Sequence, residues 1–261
     1  MVIIMILNIG DYVTRNSYNN DTVFEIIEIE KNVVKLKGVD IRLIADSDIS
    51  DLKKCEYISN DEEFFERIKM NDKMDRSEYF YLPAKILHID GDKDYLSRCM
   101  DFYKKANIYA VGEYMNENDF SVNINKLLKK NKPDILIITG HDSVNKSKDI
   151  NNINNYRNSK NFVKCVFQAR EYEKSHDKLV IIAGACQSNY EALIKAGANF
   201  ASSPRRINIH ALDPAIIATT LALTERGLEI DLLDLLNKTK YGKDGMGGLK
   251  SKGMMYVGYP R

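Results

Sequence analysis

Cysteine is scarce, long apolar runs are missing and the net charge is close to zero, and each shortage closes off a class of functions. The four cysteines, at positions 55, 99, 165 and 186, form no C-x-x-C pair and no His/Cys cluster, so neither a zinc site nor a disulfide framework is expected. Such usage fits a reducing compartment. The apolar stretch at residues 1–7 lacks a basic flank, is too short for a secretory leader and reads as a strand. No run approaches the roughly 20 apolar residues of a membrane helix, so no membrane partner is expected. With 38 Lys plus Arg against 37 Asp plus Glu, nothing drives the whole chain toward nucleic acid. Residues 1–78 carry 11 basic and 17 acidic side chains, which makes the front segment a poor nucleic-acid binder.

At 261 residues and 44% hydrophobic content, the chain can bury one α/β core and carry a small second module. Short β-type runs at 12–13, 23–29, 33–36 and 41–44, separated by Asn, Asp and Gly, predict a small SH3-like β-barrel over residues 1–55. Residues 56–79 are strongly charged and read as a linker or helix. From residue 80 to 261, apolar runs of strand length alternate with amphipathic stretches, the pattern of βαβ units and a doubly wound, mostly parallel sheet. Strands are expected at 86–89, 108–111, 135–138 and 179–182, with a fifth near Phe200. Crossover helices are expected around Tyr95 to Tyr103 and Phe162 to Arg170, and a further helix after Asp213-Pro214, with Asp213 as its N-cap. The Gly-rich run 241–248 lacks the Gly-Lys-Ser/Thr ending of a phosphate loop. It reads as a flexible turn before a last strand near 254–257, and no nucleotide, metal or other cofactor is expected.

Ligands of an open parallel sheet collect outside the carboxyl ends of the strands. Three expected strands end there in chemistry-bearing residues: Asp90-Gly91-Asp92, Gly140-His141-Asp142 and Gly184-Ala185-Cys186. A thiol becomes a nucleophile as the thiolate, and a neighbouring imidazole can take its proton and later protonate the leaving amine. Cys186 is thus the candidate nucleophile and His141 the candidate base. A helix expected from residue 189 would help to lower the thiol pKa, and the site should be partly exposed. The backbone N–H groups of Cys186 and Asp142 are the candidate oxyanion donors. Asp90, Asp92 and Asp142 are candidate substrate-binding carboxylates for a basic side chain. Asp92 reads equally as a helix N-cap, and Asp142 as an orienter of His141 or a cap of loop 143–158, itself a candidate flap over substrate. Cys99 and Cys165 read as core residues, His88 and His176 as structural. His210 is the competing base, in an amidotransferase-like hydrolase built on Cys186.

The order His then Cys, 45 residues apart and each beyond an apolar strand, resembles the caspase-like peptidases of clan CD. A closer resemblance rests on residues 10–13, 42–47, 87–92, 132–142, 183–188 and 196–204, which together are similar to the YabG sporulation peptidases along nearly the whole chain. That resemblance implies a cysteine endopeptidase of spore-forming bacteria. It would process spore coat or other spore proteins, cleave next to basic residues, and use His141 and Cys186 as its catalytic pair. It also implies a place in the mother-cell cytoplasm and at the forming coat. An exposed linker bearing Arg67, Lys69, Lys73 and Arg76 would be a target of self-cleavage. A spore-assembly adaptor with a vestigial Cys and His is the non-enzymatic alternative.

Overall fold

The computed structural model describes residues 7–68 and 77–260. The chain forms two compact units, Met1–Asn60 and Asp61–Arg261. Lys69, Lys73, Arg76 and all but Leu7 of the expected opening strand lie outside the described residues.

The first unit is an antiparallel sheet of β1 (Tyr12–Arg15), β2 (Phe24–Glu30), β3 (Val33–Gly38), β4 (Ile44–Asp48) and β5 (Leu52–Lys54), in the order β4-β3-β2-β1-β5. Val13, Phe24, Ile26, Val34, Leu36 and Leu52 form its core, so alternate residues of β2 and β3 point inward as the period-2 pattern requires. The fourth strand begins later than the sequence suggests. Residues 39–43 are used in a tight turn, in which Gly38 N donates to Leu43 O at 2.7 Å and Leu43 N to Ile41 O at 2.7 Å.

The second unit opens with helix α1 (Asp61–Arg67) and strand β6 (Phe80–Leu82). It continues through β7 (Ile86–Asp90), α2 (Lys93–Lys105), β8 (Ala110–Tyr114), α3 (Phe120–Asn131), β9 (Ile135–Thr139), α4 (Ser159–Tyr172), β10 (Val180–Ala183), α5 (Tyr190–Lys195), β11 (Phe200–Ser202) and α6 (Asp213–Leu223). It ends with α7 (Leu232–Asn237), α8 (Gly242–Gly245), β12 (Met246–Gly248) and β13 (Tyr256–Gly258). The six-stranded sheet has the order β12-β11-β10-β9-β7-β8, parallel except for β12. Helices α2 and α6 cover one face, and α3, α4 and α5 the other. Strands β7, β9, β10 and β11 are therefore buried at every residue. That is why they read as continuous apolar runs, each buried Ile or Leu contributing about 1.5–3 kcal/mol.

The expectations for the Gly-rich run and for Asp213 are corrected. The Gly-rich run folds into α8 and the edge strand β12, because its glycines lie against rings that a side chain would strike. A Cβ at Gly247 would sit 2.8 Å from Tyr190 Oη, and one at Gly248 would sit 2.4 Å from Phe200 Cδ1. The last strand, β13, leaves the main sheet and pairs antiparallel with β6. Helix α6 starts as expected, but Asp213 is its first residue and not its cap. The Asp213 carboxylate accepts from the amides of His210 (2.9 Å) and Lys240 (2.8 Å).

Candidate active site at the sheet switch point

Strand β7 lies between β8 and β9, so the chain winds outward from it in both directions. The crevice between β7 and β9 is the topological switch point of the sheet. Asp90 is level with Thr139, and Ile138 with Ala183, so the loops after β7, β9 and β10 leave at one edge.

The loop after β7 presents Asp92 as the N-cap of α2. Its Oδ1 accepts from Asp94 N (3.0 Å) and Tyr95 N (3.2 Å), satisfying amides that the helix leaves unpaired. Its Oδ2 lies 2.9 Å from Nε2 of His141 in the loop after β9. The Tyr95 ring lies against the imidazole, with centroids 5.8 Å apart. The main chain of His141 is fixed as well: its N donates to Glu117 Oε1 (2.9 Å), and its O accepts from Asn158 Nδ2 (2.8 Å). A carboxylate in its ionised form only accepts, so beside such an Asp92 the neutral imidazole would carry its proton on Nε2 and present Nδ1 as the basic nitrogen. The two side chains are 18% and 10% exposed.

Beneath this pair runs a buried polar chain. Tyr103 Oη lies 2.9 Å from His88 Nδ1, His88 Nε2 lies 2.9 Å from Thr139 Oγ1, and Thr139 Oγ1 donates to Asp90 Oδ2 at 2.8 Å. Asp90 Oδ1 in turn accepts from Asp92 N at 2.9 Å. The chain is legible as a structural role for His88. It also puts Asp90 at 0% exposure, below the crevice and not lining it.

Cys186 stands three residues beyond β10 and is fully buried, where partial exposure was expected. Its Sγ accepts from Ile209 N at 3.3 Å and lies 3.8 Å from Ile209 O. Gln187 follows in a left-handed conformation (φ 58°), its N donating to Ile207 O and to Ser203 Oγ, both at 3.0 Å. The helix expected to act on the thiol starts at Tyr190 with Asn189 as its cap, so Cys186 lies outside the first turn, where the dipole is felt. Cys99 and Cys165 are buried core residues, and burial pushes the Cys165 thiol up to about 12.

Asp142 ties the loops together. Its carboxylate accepts from Ser143 N (2.9 Å), Asn158 N (2.8 Å), Ser188 Oγ (2.9 Å) and Ser159 Oγ. It thereby joins the loop after β9 to the start of α4 and to the loop of Cys186. Val144 N adds a bond to Gln187 Oε1 at 3.5 Å. His141 and Cys186 are thus on loops clasped to each other. At 6% exposure the Asp142 carboxylate is given over to this clasp, and burial raises its pKa. The segment 143–158 is closed on itself by the Val144–Tyr156 bridge and by Tyr156 Oη donating to Ile150 O at 2.6 Å.

His210, the competing base, is fully buried. Its Nδ1 accepts from Leu212 N at 3.1 Å, and its ring packs on Phe64 with centroids 4.6 Å apart. Its neighbour Ile209 supplies the Cys186 contact. Two features escape the sequence reading: the Asp92–His141 pair and Glu117. The residue pattern of 116–119 resembles an ordinary helix start, and a signal exists only in the glycines opposite it, Gly91 and Gly140. Among the described residues no three His, Cys, Asp or Glu side chains are grouped to hold a metal ion, and no helix is long and apolar enough to cross a membrane.

Comparison with known proteins bears on the same chain. The profile of the YabG peptidase U57 family matches residues 8–76 and 56–260. The sporulation-specific protease YabG of Bacillus subtilis (strain 168) is 41% identical, across 98% of this chain and 99% of that protein.

Proposed function

Because this chain belongs to the YabG peptidase family and is a peptidase, we propose that it is a sporulation cysteine endopeptidase with Cys186 as nucleophile and His141 as general base. The observation that carries the assignment is the hydrogen bond that His141 Nε2 donates to Asp92 Oδ2, made at the switch point on a loop clasped to that of Cys186. His141 is partly open to solvent while His210 is not, and a base acting on a protein chain needs that access.

In the reaction, His141 Nδ1 takes the thiol proton as Sγ attacks the scissile carbonyl carbon. The imidazolium that forms is stabilised by Asp92. Backbone N–H groups of Cys186 and Asp142 are the proposed donors to the oxyanion. His141 then protonates the leaving amine, giving a thioester. Water, deprotonated by the same Nδ1, releases the acid and restores the thiol.

Spore coat and other spore proteins are the proposed substrates, met in the mother cell and at the forming coat. Cleavage beside basic side chains is supported by the acidic surroundings of His141. Asp92 stands at the crevice for this role, while Asp90 and Asp142, at 0% and 6% exposure, are taken up by hydrogen bonds inside the protein. We read the parallel sheet as caspase-like and the first unit as an SH3-like barrel. The test is incubation of wild type, Cys186→Ala, His141→Ala and His210→Ala with a spore-coat extract, followed by mass spectrometry of new termini. The first two variants are expected to be silent and His210→Ala active. Loss confined to His210→Ala would favour the amidotransferase-like arrangement, and no cleavage by wild type would favour an adaptor.

A further inference from the structure

Glu117 stands three residues beyond β8, a strand that leads to neither the nucleophile nor the base, yet its carboxylate lies between the loops that follow β7 and β9. It is 8% exposed, and its Oε1 accepts from His141 N at 2.9 Å. The glycines around it record its shape. A Cβ at Gly91, in the loop that carries Asp92, would lie 2.3 Å from Oε1, and one at Gly140, next to His141, would lie 2.6 Å from the same oxygen. Both loops therefore close around the carboxylate as around a wedge, and a methyl group on either side would displace it.

We propose that Glu117 is a positioning residue of the peptidase, whose wedged carboxylate fixes the His141 backbone and holds the Asp92 and His141 loops in alignment. The inference rests on His141 being the base. Its logic is geometric: an imidazole displaced by about 1 Å transfers its proton poorly, a loss of about 100-fold in rate, while substrate binding elsewhere is untouched. Glu117→Gln keeps the shape and the accepting oxygen. Glu117→Met keeps most of the shape and loses the acceptor, and Glu117→Ala loses both.

The experiment is steady-state cleavage of fluorescein-labelled β-casein by the full chain. Glu117→Ala and Glu117→Met should lower kcat about 100-fold with KM within about twofold, and Glu117→Gln should stay within about threefold of wild type. If Glu117→Ala does not fold, Gly140→Ala, which drives a methyl against the same oxygen, should show the same loss of kcat. Unaltered kcat in the Ala and Met variants, a Gln variant as impaired as Ala, or a change in KM alone would overturn the positioning role. Cys186→Ala and His141→Ala are run alongside. If those retain cleavage, the assignment of the catalytic pair has failed; if they are silent while Glu117→Ala is active, only the role of Glu117 has.

Discussion

The carboxylate of Asp92 serves two partners at once: Oδ1 caps α2 through the amides of Asp94 and Tyr95, and Oδ2 holds His141 Nε2 at 2.9 Å. The helix start and the base are therefore fixed by one side chain, and substitutions can separate the two roles. Asp92→Asn keeps an oxygen for the cap but turns an NH2 toward Nε2, which favours the wrong tautomer. It should lower kcat by about 100-fold or more with little change in the urea midpoint. Asp92→Ala should lose the same activity and, in addition, about 1 kcal/mol of stability from the cap. Wild-type kcat in Asp92→Asn would remove the orienting role.

Asp142 gives a pH signature. Burial pushes its carboxyl above the ordinary range, against the hydrogen bonds from Ser159, Asn158, Ser188 and Ser143. With the folded pKa above the unfolded one, the folded chain binds the proton more tightly. Its contribution to stability is fully present below the unfolded value of about 3.9 and is lost as pH rises through the folded value. Asp142→Asn, which cannot titrate, removes that slope. Urea unfolding between about pH 4 and 7 should show the stability of Asp142→Asn relative to wild type rising with pH. A difference independent of pH would contradict the raised pKa.

Much of this site is legible residue by residue, and little of it pair by pair. His141 and Cys186 can be found because each follows a run of buried strand residues, and a sheet covered on both faces leaves such runs in the sequence. The Asp92–His141 bond joins residues 49 apart across a crossover, and no local period records it. Asp90 and Asp142 look available in one dimension because Asp beside Gly or Ser resembles turn chemistry. Their burial comes from Thr139, Ser159 and Ser188, supplied by other strands and loops. The cover over Cys186 comes from residue 209, again beyond any local signal. Glycine misleads at 247 and 248, where it permits close strand packing against rings. Helix α3 is a different case. Its Phe120, Ile124, Leu127 and Leu128 follow a helical stripe that the sequence does display.

Thr139 links His88 to Asp90 below the site, and Val has nearly the same shape without the hydroxyl. Thr139→Val removes one hydrogen bond from each neighbour in a fully buried setting. The expected cost is about 2–4 kcal/mol, read as a lower urea midpoint at unchanged slope. A midpoint within experimental error of wild type would show that the chain under Asp92 contributes nothing to stability.

The burial of Cys186 makes its reactivity depend on segment 203–210. Ile209 covers the thiol, and the segment is held in turn by Arg206, whose Nε donates to Tyr156 Oη (2.7 Å), Nη1 to Ser203 O (3.1 Å) and Nη2 to Glu191. Ser203 and Arg206 both sit at positive φ, 61° and 55°, a conformation that favours release once those bonds are lost. Glu191 is more than half exposed, so its ion pair counts for little, and the buried bonds to Tyr156 and Ser203 carry the hold. Iodoacetamide should therefore label Cys186 at a rate that levels off with reagent concentration, set by opening of the segment. Arg206→Ala, losing charge-assisted bonds worth about 1.5–3 kcal/mol, should raise that plateau about tenfold or more. Peptide mapping separates Cys186 from Cys55, Cys99 and Cys165. Labelling of Cys186 that stays linear in reagent at the rate of a free thiol would mean that the cover over it does not limit access.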